Sequence, residues 1–402
     1  MFFKNKFIQS IILSSVFLQL GVWIRNFSVL LFVMEQTNSN SSSVALVSTV
    51  ELLPIFLFSL VGGIYSDKWL PKKTMIRADF LSGLSVFIIL IAISLGAWKA
   101  VYLIVFISAS LAQFSQSSRM RLFKMHLKED QMQMGMAAYQ TFMAILAIIG
   151  PVIGTFIYNK FGINMAIAAT GMCFVFSAAV LTLIPNDKKI PSEKVQDNFG
   201  IQLKEGLQFI RNEKVLTLLG GVFTAFGFAA GVIQPLGVFI VTERLGLPKE
   251  NFQWLLSING AAMLLGGSFV MMLAKKVSPE RLLFMGLLIN AINVIGIALS
   301  TNWYLTLAIQ FINGLFTPCI HIGINTLILN TAKEKFVGRV NGVLTLMSIA
   351  AMVIATSLAG LIKVKLSLVT MYGISSVFFV LGVLITIPLS QVIILKQQKL
   401  AS

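Results

Sequence analysis

The sequence predicts an all-α integral membrane protein, with twelve transmembrane helices in two pseudo-symmetric six-helix bundles. Three observations predict it. Apolar residues make up 57% of the chain and charged residues only 11%, against about 45–50% and about 25% in soluble domains. The apolar residues fall in long runs of the length that crosses about 30 Å of hydrocarbon, roughly 20 residues at about 1.5 Å each. One long polar stretch, 186–214, divides those runs evenly.

Taken in order, the runs lie at 7–34, 44–65, 74–97, 100–118, 133–158, 164–185, 215–241, 250–274, 281–300, 303–329, 337–362 and 366–394. They are continuous and do not alternate in period two, so helices are expected and a barrel is not. The first run is too long for a cleaved leader, and no small-residue cleavage site follows it. The fifth opens on polar-flanked QMQMGMAAYQ. In the seventh, Gln234-Pro235 predicts a break, because proline withholds an amide donor. Between the sixth and seventh runs, NDKKIPSEKVQDNFGIQLKEGLQFIRNEK reads as a linker followed by a short amphipathic helix lying on the membrane. Ile201, Leu203, Leu207 and Ile210 take one face, with Lys204, Gln208 and Arg211 opposite. The predicted domains are therefore 1–185, a cytoplasmic linker with its lateral helix at 186–214, and 215–402. WLPKKTMI, 69–76, aligns weakly with VSPERLLF, 277–284, so that Pro71 meets Pro279. This hints at a repeat, as in transporters that hold substrate at midplane between halves.

The charge of +16 has a membrane explanation. Most of the 31 lysines and arginines fall in loops on the side of both termini. The positive-inside rule makes that side cytoplasmic, in a cell membrane whose inner leaflet is anionic. No aromatic-interleaved basic tail points to nucleic acid. No phosphate loop, zinc spacing or nucleophile elbow is present, so no enzyme, cofactor or metal is expected. Power from an ion gradient is expected instead of ATP. Cys173 and Cys319 fall within spans and read as small buried residues.

Charges inside spans are costly and are expected to pair. Arg25 lies about 14 Å below the outer end of the first span and Glu51 about 10 Å below that of the second, so the two can meet near midplane. Glu51 is the candidate proton-coupling residue, with Arg25 setting its acidity. A static ion pair holding two helices together is the alternative. Polar span residues suggest a substrate cavity: Asn26, Gln113, Gln116, Tyr139, Gln234, Asn259, Asn290, Asn313 and His321. Each could instead be interhelical glue.

The stretch GGIYSDKWLPKKTMIRAD, 62–79, crowds charge between two apolar runs. Gly63, Asp67-Lys68 and Pro71-Lys72-Lys73 resemble the signature loop between helices two and three of the major facilitator superfamily, with Leu70 in place of its second glycine. The continuation TMIRAD, ending in Asp79, is similar to the macrolide-efflux branch. So are Glu205-Gly206 before span seven and Gly338-Arg339-Val340 at the start of span eleven. The resemblance implies that Asp67 latches the cytoplasmic gate against the start of helix eleven, near Phe336. Lys68, Lys72 and Lys73 would anchor to lipid headgroups or pair with Asp67 or Asp79. Gly150, Pro151 and Gly154 resemble the antiporter motif of drug exporters, although its flanking glycines fall on Leu146 and Thr155. Such exporters carry an arginine in helix four. The matching position here is Ser108, so Arg25 is its candidate substitute.

The resemblance thus implies a monomeric secondary transporter that exchanges protons for lipophilic drugs such as macrolides. Export of an endogenous solute, a siderophore or lysolipid, fits the same residues. A non-transporting sensor or assembly subunit is disfavoured by the short linker and tails.

Overall fold

A computed structural model describes residues 6–66, 70–127, 129–185, 199–274 and 276–401. Its helices follow the predicted runs closely. They are α1 (Lys6–Gln36), α2 (Ser41–Ser66), α3 (Pro71–Ser94), α4 (Val101–His126), α5 (Glu129–Thr182), α6 (Phe199–Asn212) and α7 (Lys214–Ile233). There follow α8 (Gly237–Phe239), α9 (Phe252–Leu273), α10 (Pro279–Leu299), α11 (Trp303–Thr331), α12 (Glu334–Lys363) and α13 (Leu368–Ala401). Among the described residues, 11 helical stretches are long and apolar enough to cross a membrane. One of them, within α5, is long enough for two crossings. Gly162, at φ 73° and ψ −178°, breaks it between the runs predicted at 133–158 and 164–185. Only glycine adopts that backbone cheaply. The protein is therefore a multi-pass membrane protein. Large apolar side chains such as Ile91, Leu183 and Met272 face outward, as a hydrocarbon solvent allows.

The chain divides into two compact units, one of Met1–Asn40 with Thr49–Gln196 and one of Ser41–Ser48 with Asp197–Ser402. In the first, α1 packs along α5, and α3 packs against α4 and α5. One apolar cluster joins Phe7, Ile8 and Ile11 of α1 to Met75 of α3, Leu122 and Phe123 of α4, and Leu181 of α5. In the second, α7 packs on α12 and α13, while α10 and α11 pair with each other and with α13 and α9 respectively. The first turns of α2 cluster with this unit, where Ser41 and Ser42 donate to the Gly360 carbonyl at 3.0 and 3.2 Å.

The break predicted in span seven is present. α7 gives way to a 3-10 turn at Gln234–Leu236, then α8, then a π-helical turn at Ile240–Arg244. Pro235 cannot donate to the carbonyl four residues back, and Thr356 of α12 supplies the missing donor, its Oγ1 lying 3.0 Å from Gly231 O. The two helices approach closely there. A Cβ on Gly227 would sit 3.0 Å from Ala351 Cβ, and one on Gly231 2.8 Å from Ala355 Cβ. This is the small-xxx-small spacing that lets spans touch.

The repeat signal has a structural counterpart, since Pro71 and Pro279 are the first residues of α3 and α10. Proline suits that position because the first helical amides lack partners anyway. The lateral helix α6 packs against the start of α12. Phe209 stacks on Phe336 of α12 with ring centroids 4.7 Å apart, Gly206 abuts the Arg339 backbone, and Glu205 is ion-paired with Arg339.

Candidate functional site

Unit one buries a polar network at the middle of α1. Arg25 is 2% exposed and Glu51 25%. The Arg25 guanidinium donates to Asn26 Oδ1 through Nε at 3.0 Å and Nη2 at 2.7 Å, and Nη2 lies 3.4 Å from Glu51 Oε1. Asn26 Nδ2 donates to the same Glu51 oxygen at 2.6 Å. Arg25 Nη1 donates to Ser108 Oγ of α4. Two helices therefore contribute a charge each, and a third supplies a hydroxyl that accepts from the guanidinium. The Arg25–Glu51 attraction is on the order of 5 kcal/mol at an effective dielectric of about 20, before desolvation is set against it.

The antiporter-like residues of α5 explain how α1 is held. A Cβ on Gly150 would collide with Trp23, and one on Gly154 would lie 2.9 Å from Phe27 Cβ and 3.0 Å from Trp23 O. The two glycines thus seat the turn of α1 that carries Arg25 and Asn26. Pro151 is buried between them.

The residues of the charged loop separate. Gly63 lies in α2, and Asp67 and Lys68 lie outside the described residues. Lys73 is exposed. Lys72 is buried, against the expectation of a headgroup anchor. Its ammonium donates to Thr182 O at 3.1 Å, a free carbonyl at the end of α5, and to Ile184 O just beyond it. Asp79 does not pair with Lys72. It is 1% exposed and takes a contact of 2.6 Å from Ser177 Oγ on α5.

Among the expected cavity residues, Asn26 joins the network above. Tyr139 is buried, and its hydroxyl accepts from Arg119 Nη1 at 3.2 Å. Gln113 is half-buried and Gln116 exposed on α4; Gln234 is exposed at the break in span seven. Three asparagines of unit two form a chain. Asn259 Nδ2 donates to Asn313 Oδ1 at 3.2 Å, Asn313 Nδ2 to Asn290 Oδ1 at 3.0 Å, and Asn290 Nδ2 to Gly286 O at 2.8 Å. They tie α9, α11 and α10 together, which is the interhelical role. His321 is exposed beside Phe226, ring centroids 6.2 Å apart. Sequence reasoning missed Arg119, which it assigned to a loop. The buried Ser108, Ser115 and Arg119 recur at helical spacing on one face of α4, a signal that could have placed it inside.

The pattern of the Major Facilitator Superfamily matches residues 11–248 and 226–395. The chain belongs to the major facilitator superfamily. It is accordingly a transporter and not an enzyme. Among curated relatives, it is 25% identical to the uncharacterized MFS-type transporter YkuC of Bacillus subtilis (strain 168), over 85% of this chain and 81% of that one. It is 22% identical to macrolide efflux protein A of Streptococcus pyogenes over 78% of each. To macrolide efflux protein A of Enterococcus faecalis it is 24% identical, over 75% of this chain and 94% of that one. The fold matches a solved nucleoside transporter, NupG, with a TM-score of 0.74, 12% identity and coverage of 96% of this chain and 99% of that one. It also matches the POT family transporter PepTSo at 0.73, with 11% identity and coverage of 96% and 97%. In superfamily terms, α1 to α5 supply the first six spans, and α7 with α8 forms the seventh.

Proposed function

We propose that this transporter exports lipophilic small molecules, macrolides among them, in exchange for protons, by alternating access. It works as a single chain in the cell membrane with both termini cytoplasmic, and its lysine-rich loops face anionic lipid. The names of the macrolide-efflux relatives support the substrate class. The observation that carries the coupling is the partly exposed Glu51 carboxylate held by Arg25 and Asn26.

Glu51 is the one member of that network that can change charge. As a carboxylate it accepts from both neighbours. When a proton from outside reaches it, the attraction to Arg25 is lost, while Arg25 keeps Asn26 and Ser108 as acceptors. The network can thus hold both protonation states without leaving the guanidinium bare. Release of the proton to the cytoplasm restores the pair. Arg25 is the cation of the site, reaching from α1 to the α4 position where drug exporters carry an arginine. Asp67 with its neighbouring lysines serves as the cytoplasmic gate.

The test is proton movement in everted vesicles on adding macrolides, with wild type beside Glu51→Gln. Wild type is expected to move protons and the variant is expected not to. A variant that responds like wild type makes the pair a static brace. A wild type that moves no protons with any compound removes drug–proton exchange.

A further inference from the structure

Unit one also holds a fully buried acid, which the Glu51 network does not include. Asp79 on α3 sits about 12 Å in from the start of its helix and is 1% exposed. Ser177 Oγ lies 2.6 Å from Asp79 Oδ2 and 2.9 Å from the carbonyl oxygen of Ser14. A serine hydroxyl has a single proton to give. Both neighbours are acceptors if Asp79 is ionised, and then only one of the two contacts is a hydrogen bond. Both are satisfied together when Asp79 carries a proton on Oδ2: the acid donates to Ser177, and Ser177 donates to Ser14. No ion pair to Asp79 within 4.0 Å exists among the described residues to hold it ionised.

The groups that face it complete the picture. On α4, Arg119 is 4% exposed and within electrostatic reach of Asp79. It spends Nη1 on Tyr139 of α5, and among the described residues Nε and Nη2 have no hydrogen-bond partner. Ser115, one turn earlier on α4, turns a buried hydroxyl to the same side. On α3 itself Lys72 is committed to the carbonyls at and just beyond the end of α5, and Arg77 is exposed. A buried guanidinium with unused donors is costly. The cost falls if a carboxylate becomes available to it.

We propose that Asp79 is a second proton-carrying site, neutral in this arrangement, with Arg119 as the counter-ion that takes over when the proton leaves. Loss of the proton from Oδ2 to water leaves a carboxylate. Ser177 then donates to it, and Arg119 turns Nε or Nη2 toward it from the neighbouring helix. The change alters how α3 and α4 are held together. The proposal goes beyond the coupling role of Glu51 and does not rest on it, because its test needs no substrate.

The test is infrared spectroscopy of the purified full chain in lipid, in the carboxylic-acid carbonyl stretch, across a pH series. At neutral pH wild type is expected to show a buried acid band that Asp79→Asn removes and Glu51→Gln does not. The asparagine amide can donate to the same Ser177 oxygen, so the fold is retained. Ser177→Ala deprives the acid of its acceptor and is expected to move the band to higher frequency. Arg119→Gln removes the cation and is expected to carry the band to higher pH. If Asp79→Asn removes no acid band, or Ser177→Ala leaves it unmoved, the neutral acid is refuted. If Arg119→Gln leaves the titration unchanged, the counter-ion role is refuted.

Discussion

Thr356 offers a quantitative test of how the seventh span is held at its break. Pro235 leaves the Gly231 carbonyl without a helical donor, and Thr356 Oγ1 fills the gap at 3.0 Å. Thr356→Val keeps the shape and removes the donor from a fully buried position. An unsatisfied buried carbonyl costs about 1–3 kcal/mol. Interhelical hydrogen bonds in membranes average about 0.6 and reach about 1.7 kcal/mol. The expected loss is therefore about 1–2 kcal/mol. With Pro235→Ala in the background, the alanine amide can serve Gly231, and the same valine substitution is expected to cost about 0.5 kcal/mol or less. The coupling of about 1 kcal/mol, roughly fivefold in an equilibrium constant, is read from a double-mutant cycle. Reversible unfolding in mixed micelles, by titrating a denaturing detergent, supplies the four free energies. Equal cost in both backgrounds would refute the assignment of Thr356 as the stand-in for the missing amide.

Two further substitutions test the supports of the site and the fold. Gly150→Leu pushes into Trp23, and it is expected to destabilise by about 1–3 kcal/mol and to slow transport by displacing the Arg25 turn; Gly267→Ala, where a Cβ meets open space, is the control and is expected to leave transport unchanged. Gly162→Ala forces a side chain into a glycine-only backbone between the halves of α5, and micelle unfolding is expected to show a loss of about 1–3 kcal/mol.

The spans were legible because the bilayer enforces length and apolarity, and Gln234-Pro235 marked its break because proline chemistry is local. The meeting of Arg25 with Glu51 was legible from depth alone, since two lone charges at matching height have few other partners. The fourth span was read as ending at 118, whereas α4 continues to His126. Its basic residues lower the hydropathy, yet Arg119 is covered by Tyr139 and the neighbouring helices. Hydropathy measures one residue at a time and cannot see that cover. The same limit applies to Lys72, whose carbonyl partners at Thr182 and Ile184 lie more than 100 residues away. Asn259, Asn290 and Asn313 could be read as polar and inward, but their linkage into one chain depends on the register of three helices.

Glu51 remains the point on which the functional account turns. The direct measurement is macrolide flux in proteoliposomes of stated orientation, with and without an imposed pH gradient, for wild type and Glu51→Gln. The account predicts that the gradient drives wild-type flux and that the variant moves drug at one rate whether or not the gradient is applied. A Glu51→Gln protein that answers the gradient as wild type does would contradict it.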